Sequence, residues 1–312
     1  MTDYTIGVDI SKALLDVHLL PDGETRQFTN QRCGFDELIQ WIGRRKIARI
    51  VYEPTGAYHR SFEDALSKAG LPLAKVNPLQ ARRFAEARGT RAKTDRVDAE
   101  VLAVMGGALK LGVYIVPSRM LRNLKALQIA RQALIKDRTA ARNRSKNLTL
   151  AMLKRQNANR LRQIDRDLAA IEKKMLALIN TDEKMARTFR ILCSIPGIAQ
   201  ITAVTLIVEI PELGMLTSKA VASLSGLAPF ARDSGKWKGK RFIGGGRKFL
   251  REALYMPALV ALRFNPDMKA KYQQLKNAQK PSKVAITAIM RKLIILANTL
   301  VKKDKMWINN NA

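Results

Sequence analysis

The chain has 312 residues, 47% of them hydrophobic, and a net charge of +30 from 56 basic and 26 acidic side chains. This length and apolar content suffice for two compact domains with buried cores and argue against wholesale disorder. The two cysteines, Cys33 and Cys193, lie far apart and only two histidines are present. That composition argues against a zinc site and is typical of the reduced cytoplasm.

The basic charge is unevenly distributed. Residues 1–110 have 17 basic and 14 acidic side chains, residues 111–190 have 19 and 6, and residues 191–312 have 20 and 6. A positive field of this size attracts polyanions through counterion release, and nucleic acid is the usual partner. No apolar run approaches the roughly 20 residues of a membrane span, and the N-terminus lacks the layout of a signal peptide. We therefore expect a cytoplasmic, nucleoid-associated protein without a membrane partner.

Short β-rich runs and amphipathic helices alternate along residues 1–116. The predicted strands are Thr5–Ile10, Leu14–Leu20, Gln27–Thr29, Arg49–Glu53 and Leu71–Val76, and the predicted helices are Phe35–Arg45, Tyr58–Ala69, Pro78–Ala87 and Asp95–Leu111. Three consecutive strands followed by crossover units form the order of an RNase H-like α/β sheet. On the last helix, the predicted inward residues are Val97, Val101, Val104, Met105 and Ala108.

Four carboxylates occupy related places in these elements. Asp9 lies inside the first strand, where a charge is costly unless it has a function, and Glu53 ends the fourth strand. Asp95 and Asp98 are three residues apart on the last helix and project from the same side. In an RNase H-like fold these elements are neighbours, so the four acids would converge and bind Mg²⁺ or Mn²⁺. Taken alone, Asp95 and Asp98 are more often the solvated face of a helix, and Glu53 could be a strand-end charge. Together with Asp9 inside its strand, the four acids favour a functional site.

The middle of the chain, residues 117–188, is predicted to be helical and basic. From Met120 to Leu178 it contains neither proline nor glycine, with a weak break at Gln156–Asn159. A heptad seam runs through Leu161, Ile164, Leu168, Ile171, Met175 and Leu178. The seam has two interpretations, a helical hairpin linker or a coiled-coil arm that joins a dimer or tetramer, and we favour the second.

The last third, residues 189–312, is predicted to be mainly α-helical and to contact nucleic acid. Pro196-Gly197-Ile198 resembles a helix-hairpin-helix turn, although a plain turn between helices is an equal alternative. Further on, a glycine-rich basic loop leads into a helix over residues 247–264 and is predicted to hold phosphate. Its candidate nucleic-acid ligands are Arg232, Lys236, Trp237, Lys238, Lys240, Arg241, Arg247 and Lys248. For Trp237, base stacking and packing are equal alternatives.

Several of these segments together resemble a known family. GVDISK around Asp9, YEPTGAY around Glu53 and KTDRVDA around Asp95 and Asp98 resemble the DEDD transposases of the insertion sequence 110 family. The N-terminal domain of that family resembles the RuvC Holliday-junction resolvase. The segment GLAPFARDSGKWKGKRFIGGGRKFLREALY resembles the family's C-terminal transposase domain. The resemblance covers residues 5–115 and about 190–280.

The resemblance changes the interpretation of Ser234. By composition alone this residue is a phosphate-binding or turn serine, whereas the resemblance implies that it is the nucleophile. A serine–DNA ester would store the phosphodiester energy for rejoining. Because no histidine lies near Ser234 in sequence, metals held by the four carboxylates would have to activate the reaction.

The function expected from these features is that of a bacterial transposase, a DNA recombinase that acts on element ends and a target. The resemblance also implies guidance by a structured RNA from the element. The alternatives are a hydrolytic Holliday-junction resolvase that uses only the acidic tetrad, and a non-catalytic nucleic-acid-binding protein with a decayed nuclease domain. Since one helix over residues 120–178 would span about 90 Å, we also expect a composite active site shared between chains.

Overall fold

The computed structural model describes residues 3–89, 94–231, 233–235, 237–239 and 241–308. The chain divides into two compact units, Met1–Pro117 and Ser118–Ala312. The helical middle of the sequence and the last third fall within the same unit. The predicted division into three regions, with boundaries after residues 116 and 188, stays a prediction.

The N-terminal unit is a mixed α/β domain built on a five-stranded sheet in the order β3-β2-β1-β4-β5. The strands are β1 Tyr4–Ile10, β2 Leu14–Leu20, β3 Glu24–Thr29, β4 Ile47–Tyr52 and β5 Leu73–Lys75. Strands β1 to β3 are antiparallel, whereas β4 lies parallel to β1 and β5 parallel to β4. All five predicted strands are present, with ends that differ by up to three residues.

Helices cover both faces of this sheet, as buried parallel strands require. They are α1 Arg32–Ile42, α2 His59–Lys68, α3 Pro78–Ala87 and α4 Asp95–Leu109. Alternate residues of β4 enter different cores, because Ile50 and Tyr52 pack with α1 and α2 while Val51 packs with α3 and α4. On β1, Ile6 and Val8 belong to the α1/α2 side. Gly7 and Asp9 therefore face α4.

The close approach of α4 to β1 depends on glycine. A Cβ atom built on Gly7 would lie 1.9 Å from the carbonyl oxygen of Ala99 and 2.4 Å from the nitrogen of Ala103. The prediction of which α4 residues face inward is only partly right. Val101 and Met105 are buried, but Ala108 is exposed. The helix contacts β1, β2, β4 and α3, so its buried surface is wider than one stripe.

We expect Gly7→Ala to lower the free energy of unfolding by about 3 kcal/mol, the upper part of the range for overpacked cores. The clash is with the backbone of α4, which cannot yield as a flexible side chain would. Chemical denaturation measures the effect. Gly107→Ala is the matched control, because Gly107 is exposed on α4 and a Cβ atom there would meet no neighbouring residue within 4 Å. It should be neutral or stabilising by up to about 1 kcal/mol, and equal losses in both variants would refute the packing argument.

The C-terminal unit is mainly helical. Its helices are α5 Arg119–Ser145, α6 Ala151–Asn180, α7 Glu183–Ser194, α8 Gln200–Glu209, α9 Ser218–Leu224, α10 Lys248–Ala253, α11 Tyr255–Phe264, α12 Pro266–Asn277 and α13 Ser282–Lys302. Among the described residues, α13 is the one helix long and apolar enough to cross a membrane. Its residues Ile289, Leu293 and Ala297 are fully buried in the core of this unit, which is the pattern of a core helix.

Helices α5 and α6 form an antiparallel hairpin. Ion pairs join Arg131 to Glu172 at 2.7 Å and Arg138 to Asp165 at 3.2 Å. The later residue of α5 thus pairs with the earlier residue of α6, so the two helices run in opposite directions. The seam residues Ile164, Leu168 and Met175 are buried within this unit. The hairpin, the less favoured of the two interpretations, is thus what the structure contains. Association into a dimer or tetramer stays a prediction.

The predicted helix boundaries are wrong at two places in this unit. The break between α5 and α6 lies at residues 146–150 rather than at Gln156–Asn159. Asn157 is buried inside α6 and donates a hydrogen bond to the carbonyl of Ala141 on α5, at 3.0 Å. Its amide therefore serves a contact between helices and not a turn. The single helix predicted over residues 247–264 is instead two, divided at Leu254.

Candidate active site

The pairing of β1 with β4 brings the first two carboxylates together. Val8 lies opposite Tyr52 in the parallel register, so Asp9 and Glu53 are the next residues at the same end of neighbouring strands. Each side chain is partly buried. The carboxyl ends of parallel strands are where sites form in open α/β sheets.

Helix α4 supplies the other two. The side chain of Thr94 caps its N-terminus by accepting a hydrogen bond from the Val97 nitrogen, and Asp95 and Asp98 occupy the first turn. Negative charge is favourable there because of the helix dipole. Asp95 lies one turn before Ala99, whose backbone touches Gly7, and Gly7 and Asp9 share a face of β1. The local geometry therefore directs the first turn of α4 toward Asp9.

All four predicted acids line one cavity of about 830 Å³. Helix α3 contributes much of the remaining wall, including Leu79, Arg82, Ala85 and Glu86. The electrostatics agree with this arrangement. Burial, and then the charges of Asp95, Asp98, Asp16 and Glu53, raise the pKa of Asp9 from 3.8 to about 6. The cavity is therefore strongly electronegative around Asp9.

The donor set fits a hard divalent cation in its chemistry, since carboxylate oxygens are the ligands that Mg²⁺ and Mn²⁺ prefer. Burial and then repulsion from the other acids raise the pKa of Asp9, and a bound cation would relieve that repulsion. Within the described ranges, no three Asp, Glu, His or Cys side chains are close enough to hold one ion as they stand. The residues are thus gathered in one cavity with their side chains still apart.

Sequence reasoning missed Asp16, which lies beside Asp9, and two residues that line the cavity, Arg82 and Glu86. Asp16 lies opposite Asp9 in the β1–β2 pair and accepts a hydrogen bond from the Gln27 amide at 3.0 Å. Its place at a polar position of a predicted strand next to β1 was a usable signal. Arg82 and Glu86 carry no such signal, because only the packing of α3 beside α4 brings them to the cavity.

The predicted serine lies in the C-terminal unit, in an exposed hairpin. Strand β6 Asp233–Ser234 pairs with β7 Trp237–Lys238, with Ser234 opposite Trp237. Gly235 turns the chain with φ +54, a conformation that favours glycine. The indole of Trp237 is 63% exposed, so it is not a core residue and has a free face for stacking.

Two of the predicted nucleic-acid ligands are engaged within the protein. Arg241 binds both carboxylate oxygens of Asp233, at 2.9 and 2.8 Å. Arg247 binds both oxygens of Glu212, at 3.0 and 2.9 Å, and also the carbonyl of Glu209. Burial alone would raise the pKa of Glu212, but the hydrogen bond from Arg247 holds that pKa below its usual value. In this structure both arginines hold the loop in shape.

Three of the remaining predicted nucleic-acid ligands have exposed side chains. They are Trp237, Lys238 and Lys248, and Lys248 contacts Glu252 at 3.7 Å. Arg232, Lys236 and Lys240 lie outside the described residues.

Gly197 and Gly246, which belong to the two segments considered for phosphate binding, pack closely against neighbouring backbone. Gly197, at φ +99, brings the turn before α8 against α11, and a Cβ there would lie 2.5 Å from the carbonyl oxygen of Pro257. Gly246, at φ +60, packs on the chain after α9, where a Cβ would lie 2.3 Å from the nitrogen of Gly226. Of the two interpretations of the Pro196-Gly197-Ile198 turn, this contact favours the plain turn between helices.

Comparison with known proteins identifies the class as DNA transposases and recombinases. A family model described as a transposase of the DEDD, IS110 type matches residues 6–155, and the model "Transposase IS116/IS110/IS902 family" matches residues 189–273. The "Pilin gene-inverting protein" of Moraxella lacunata is 29% identical over 319 residues, covering 98% of each chain. That of Moraxella bovis is 28% identical with the same coverage. The chain belongs to the IS110 family of transposases, as its motifs indicated.

Proposed function

We propose that the N-terminal unit is a RuvC-like, RNase H-like nuclease domain whose acidic tetrad Asp9, Glu53, Asp95 and Asp98 cleaves DNA. Support comes from the sheet order β3-β2-β1-β4-β5 with the acids at the ends of β1 and β4 and in the first turn of α4. The observation that carries the proposal is their convergence on one cavity, where burial and then the neighbouring carboxylates raise the pKa of Asp9.

The four carboxylates would hold Mg²⁺ or Mn²⁺, which when bound neutralises charge on the reacting phosphate and stabilises the leaving oxygen. Asp9 must be ionised to take part, and its proton is displaced more readily above pH 6. On the α3 wall of the cavity, the Arg82 guanidinium, which contacts Glu86 at 3.5 Å, would be the group to bind a DNA phosphate.

Ser234 is proposed as the nucleophile. Its Oγ would form a bond to a DNA phosphorus while the bond from phosphorus to the 3′-oxygen breaks. The serine proton is released, and the 3′-oxygen takes up a proton as it leaves. A hydroxyl of a second strand then attacks the same phosphorus, which frees the serine and joins the strands without an energy source. The exposed hairpin makes Oγ accessible to a strand, and Trp237 across from it offers a base-stacking surface.

The same chemistry would serve transposition between element ends and a target, or inversion between two sites on one DNA. The relatives named for pilin gene inversion support strand exchange over hydrolysis alone. A hydrolytic resolvase is the second candidate, because the N-terminal unit carries the full set of acids by itself.

Denaturing electrophoresis of wild-type reactions with labelled element-end DNA separates the two candidates. A recombinase that works through serine leaves protein covalently joined to the DNA 5′-phosphate, and peptide mapping should place the label on residues 233–239. A resolvase uses water and leaves free 5′-phosphate with no adduct. Cleavage with no adduct at any time point would reject the serine intermediate.

We further propose that a structured RNA from the element guides the protein. Residues 111–190 have 19 basic and 6 acidic side chains, enough to contact many phosphates. Between 50 and 200 mM salt we expect affinity for this RNA to fall about 10³-fold or more, since each contacted phosphate releases counterions. Filter binding at several salt concentrations measures the slope. Random RNA of the same length is the control, and equal affinity for it would count against dedicated guidance.

A further inference from the structure

A polar cluster lies in the core directly behind Glu53. It consists of Tyr52, His59, Glu63 and Lys75. Tyr52 is 0% exposed, Glu63 2% and His59 8%. A carboxylate buried this deeply is costly and needs both a counterion and hydrogen bonds.

The cluster supplies both. The phenol of Tyr52 donates a hydrogen bond to Oε1 of Glu63 at 2.5 Å, and Nζ of Lys75 pairs with the same oxygen at 2.9 Å. Nζ of Lys75 also lies 3.1 Å from Nε2 of His59. From its other side, Lys75 stands 5.1 Å from the centre of the Tyr114 ring. The Glu63 charge is therefore compensated by two groups from separate strands, the Tyr52 hydroxyl of β4 and the Lys75 ammonium of β5.

The hydrogen bonds define the protonation of His59. An ammonium group only donates, so Nε2 accepts and the imidazole proton is on Nδ1. Burial and the charge of Lys75 lower the pKa of His59, against opposing effects of Glu63 and the Thr55 backbone. Nδ1 is buried, and its interaction with the Thr55 backbone falls short of a hydrogen bond of normal geometry. The buried Nδ1–H group of His59 therefore lies next to the backbone of Thr55.

The cluster members bracket the segment that carries Glu53. Tyr52 is the last residue of β4, Lys75 the last of β5 opposite it, and His59 and Glu63 form the first turns of α2. Residues 53–58 connect β4 to α2, and Thr55, Gly56, Ala57 and Tyr58 are exposed. Because residues 55–58 are exposed and have little packing of their own, the cluster at the two ends of the loop constrains where Glu53 lies.

Stability alone does not account for the cluster. Replacing a buried ion pair by apolar residues of similar volume is often neutral or stabilising, whereas groups that orient ligand side chains change metal affinity strongly. We propose that Tyr52, His59, Glu63 and Lys75 form a positioning device that locks the ends of the 53–58 loop and holds the Glu53 carboxylate toward the cavity. This inference rests on the proposed role of Glu53 as a metal-binding carboxylate.

The test compares Glu63→Gln and Tyr52→Phe in the full-length protein. Glu63→Gln removes the charge at constant size, and Tyr52→Phe removes one hydroxyl. The readouts are Mn²⁺ affinity of the DNA-free protein by electron paramagnetic resonance, the half-saturating Mn²⁺ concentration for DNA cleavage, and the unfolding midpoint in chelator. Glu24→Gln is the control, since Glu24 pairs with Arg45 at 3.6 Å at the start of β3, away from the cavity.

We expect both cluster variants to weaken Mn²⁺ binding about 10-fold or more and to regain cleavage at high Mn²⁺, while Glu24→Gln keeps the wild-type affinity. A purely structural role would lower the unfolding midpoint without moving the Mn²⁺ dependence. Folded variants with wild-type Mn²⁺ dependence would overturn the inference, and Tyr52→Phe decides alone if Glu63→Gln does not fold.

A Glu53→Gln variant separates failure of the inference from failure of the proposed function. If it loses Mn²⁺ binding while the cluster variants keep it, only the positioning role is wrong. If Glu53→Gln itself keeps wild-type binding and cleavage, the metal-binding role of Glu53 is wrong and the positioning inference falls with it.

Discussion

Replacing Asp9 by asparagine is expected to lower the recombination rate at least about 10³-fold, because loss of a carboxylate proposed to bind the metal would remove several kcal/mol of transition-state stabilisation. The same variant should be more stable than the wild type at pH 8 in chelator. The pKa of Asp9 is raised from 3.8 to about 6, by burial first and then by Asp95, Asp98, Asp16 and Glu53. At pH 8 the wild-type protein must hold this repelled charge, whereas asparagine is neutral.

The sign of the pH dependence follows from that shift. Between pH 3.8 and about 6 the folded protein binds the Asp9 proton more tightly than the unfolded chain does. The contribution of Asp9 to stability is therefore full below pH 3.8, is lost as the pH rises through about 6, and stays lost above it. The stability difference between Asp9→Asn and the wild type should grow over this window and then level off.

Chemical denaturation at pH 4.5, 6 and 8 in chelator, with recombination assays in Mg²⁺, measures both effects. Asp22→Asn is the control, since Asp22 is exposed in the turn after β2, and it should change neither. A variant that recombines at the wild-type rate would remove the tetrad from the mechanism. An Asp9→Asn protein less stable than the wild type at pH 8 would contradict the electrostatic description of the cavity.

Replacing Ser234 by alanine is expected to remove the protein–DNA adduct and to lower the cleavage rate at least about 10³-fold, since no other atom takes over the covalent bond. Ser234 is exposed in the β6–β7 hairpin, and surface substitutions change stability by less than about 0.5 kcal/mol. RNA and DNA binding should be retained, because the hydroxyl is a small part of a basic surface. Loss of activity in a folded, binding-competent protein is therefore attributable to chemistry.

Ser223→Ala is the matched control, because Ser223 is exposed on α9 in the same unit. It should form the adduct at the wild-type rate. Wild-type cleavage by Ser234→Ala would refute the nucleophile assignment. Tyr255, 43% exposed, and Tyr58, 44% exposed, would then be the hydroxyls to replace next.

The sequence by itself determined the sheet and the elements that carry the acids. Apolar residues alternate or run together in β1, β2 and β4, and a charge such as Asp9 inside such a run is visible without any structure. These features are local. The alternation of side chains between faces, and the free-energy cost of burying a charge, can both be recognised within one strand or helix. The family is determined at the same level, because its motifs are contiguous segments of the chain.

The tertiary structure alone decided which surfaces meet. The heptad seam predicts a partner helix but not which one, and Ile164 and Leu168 find theirs within the C-terminal unit. Arg247 is a cation beside a glycine loop in the sequence, yet it pairs with Glu212, which lies 35 residues earlier. Likewise Lys75 reaches Glu63 only because β5 lies beside β4. Local periodicity specifies a face or a charge, whereas its partner depends on long-range packing that no short window of sequence contains.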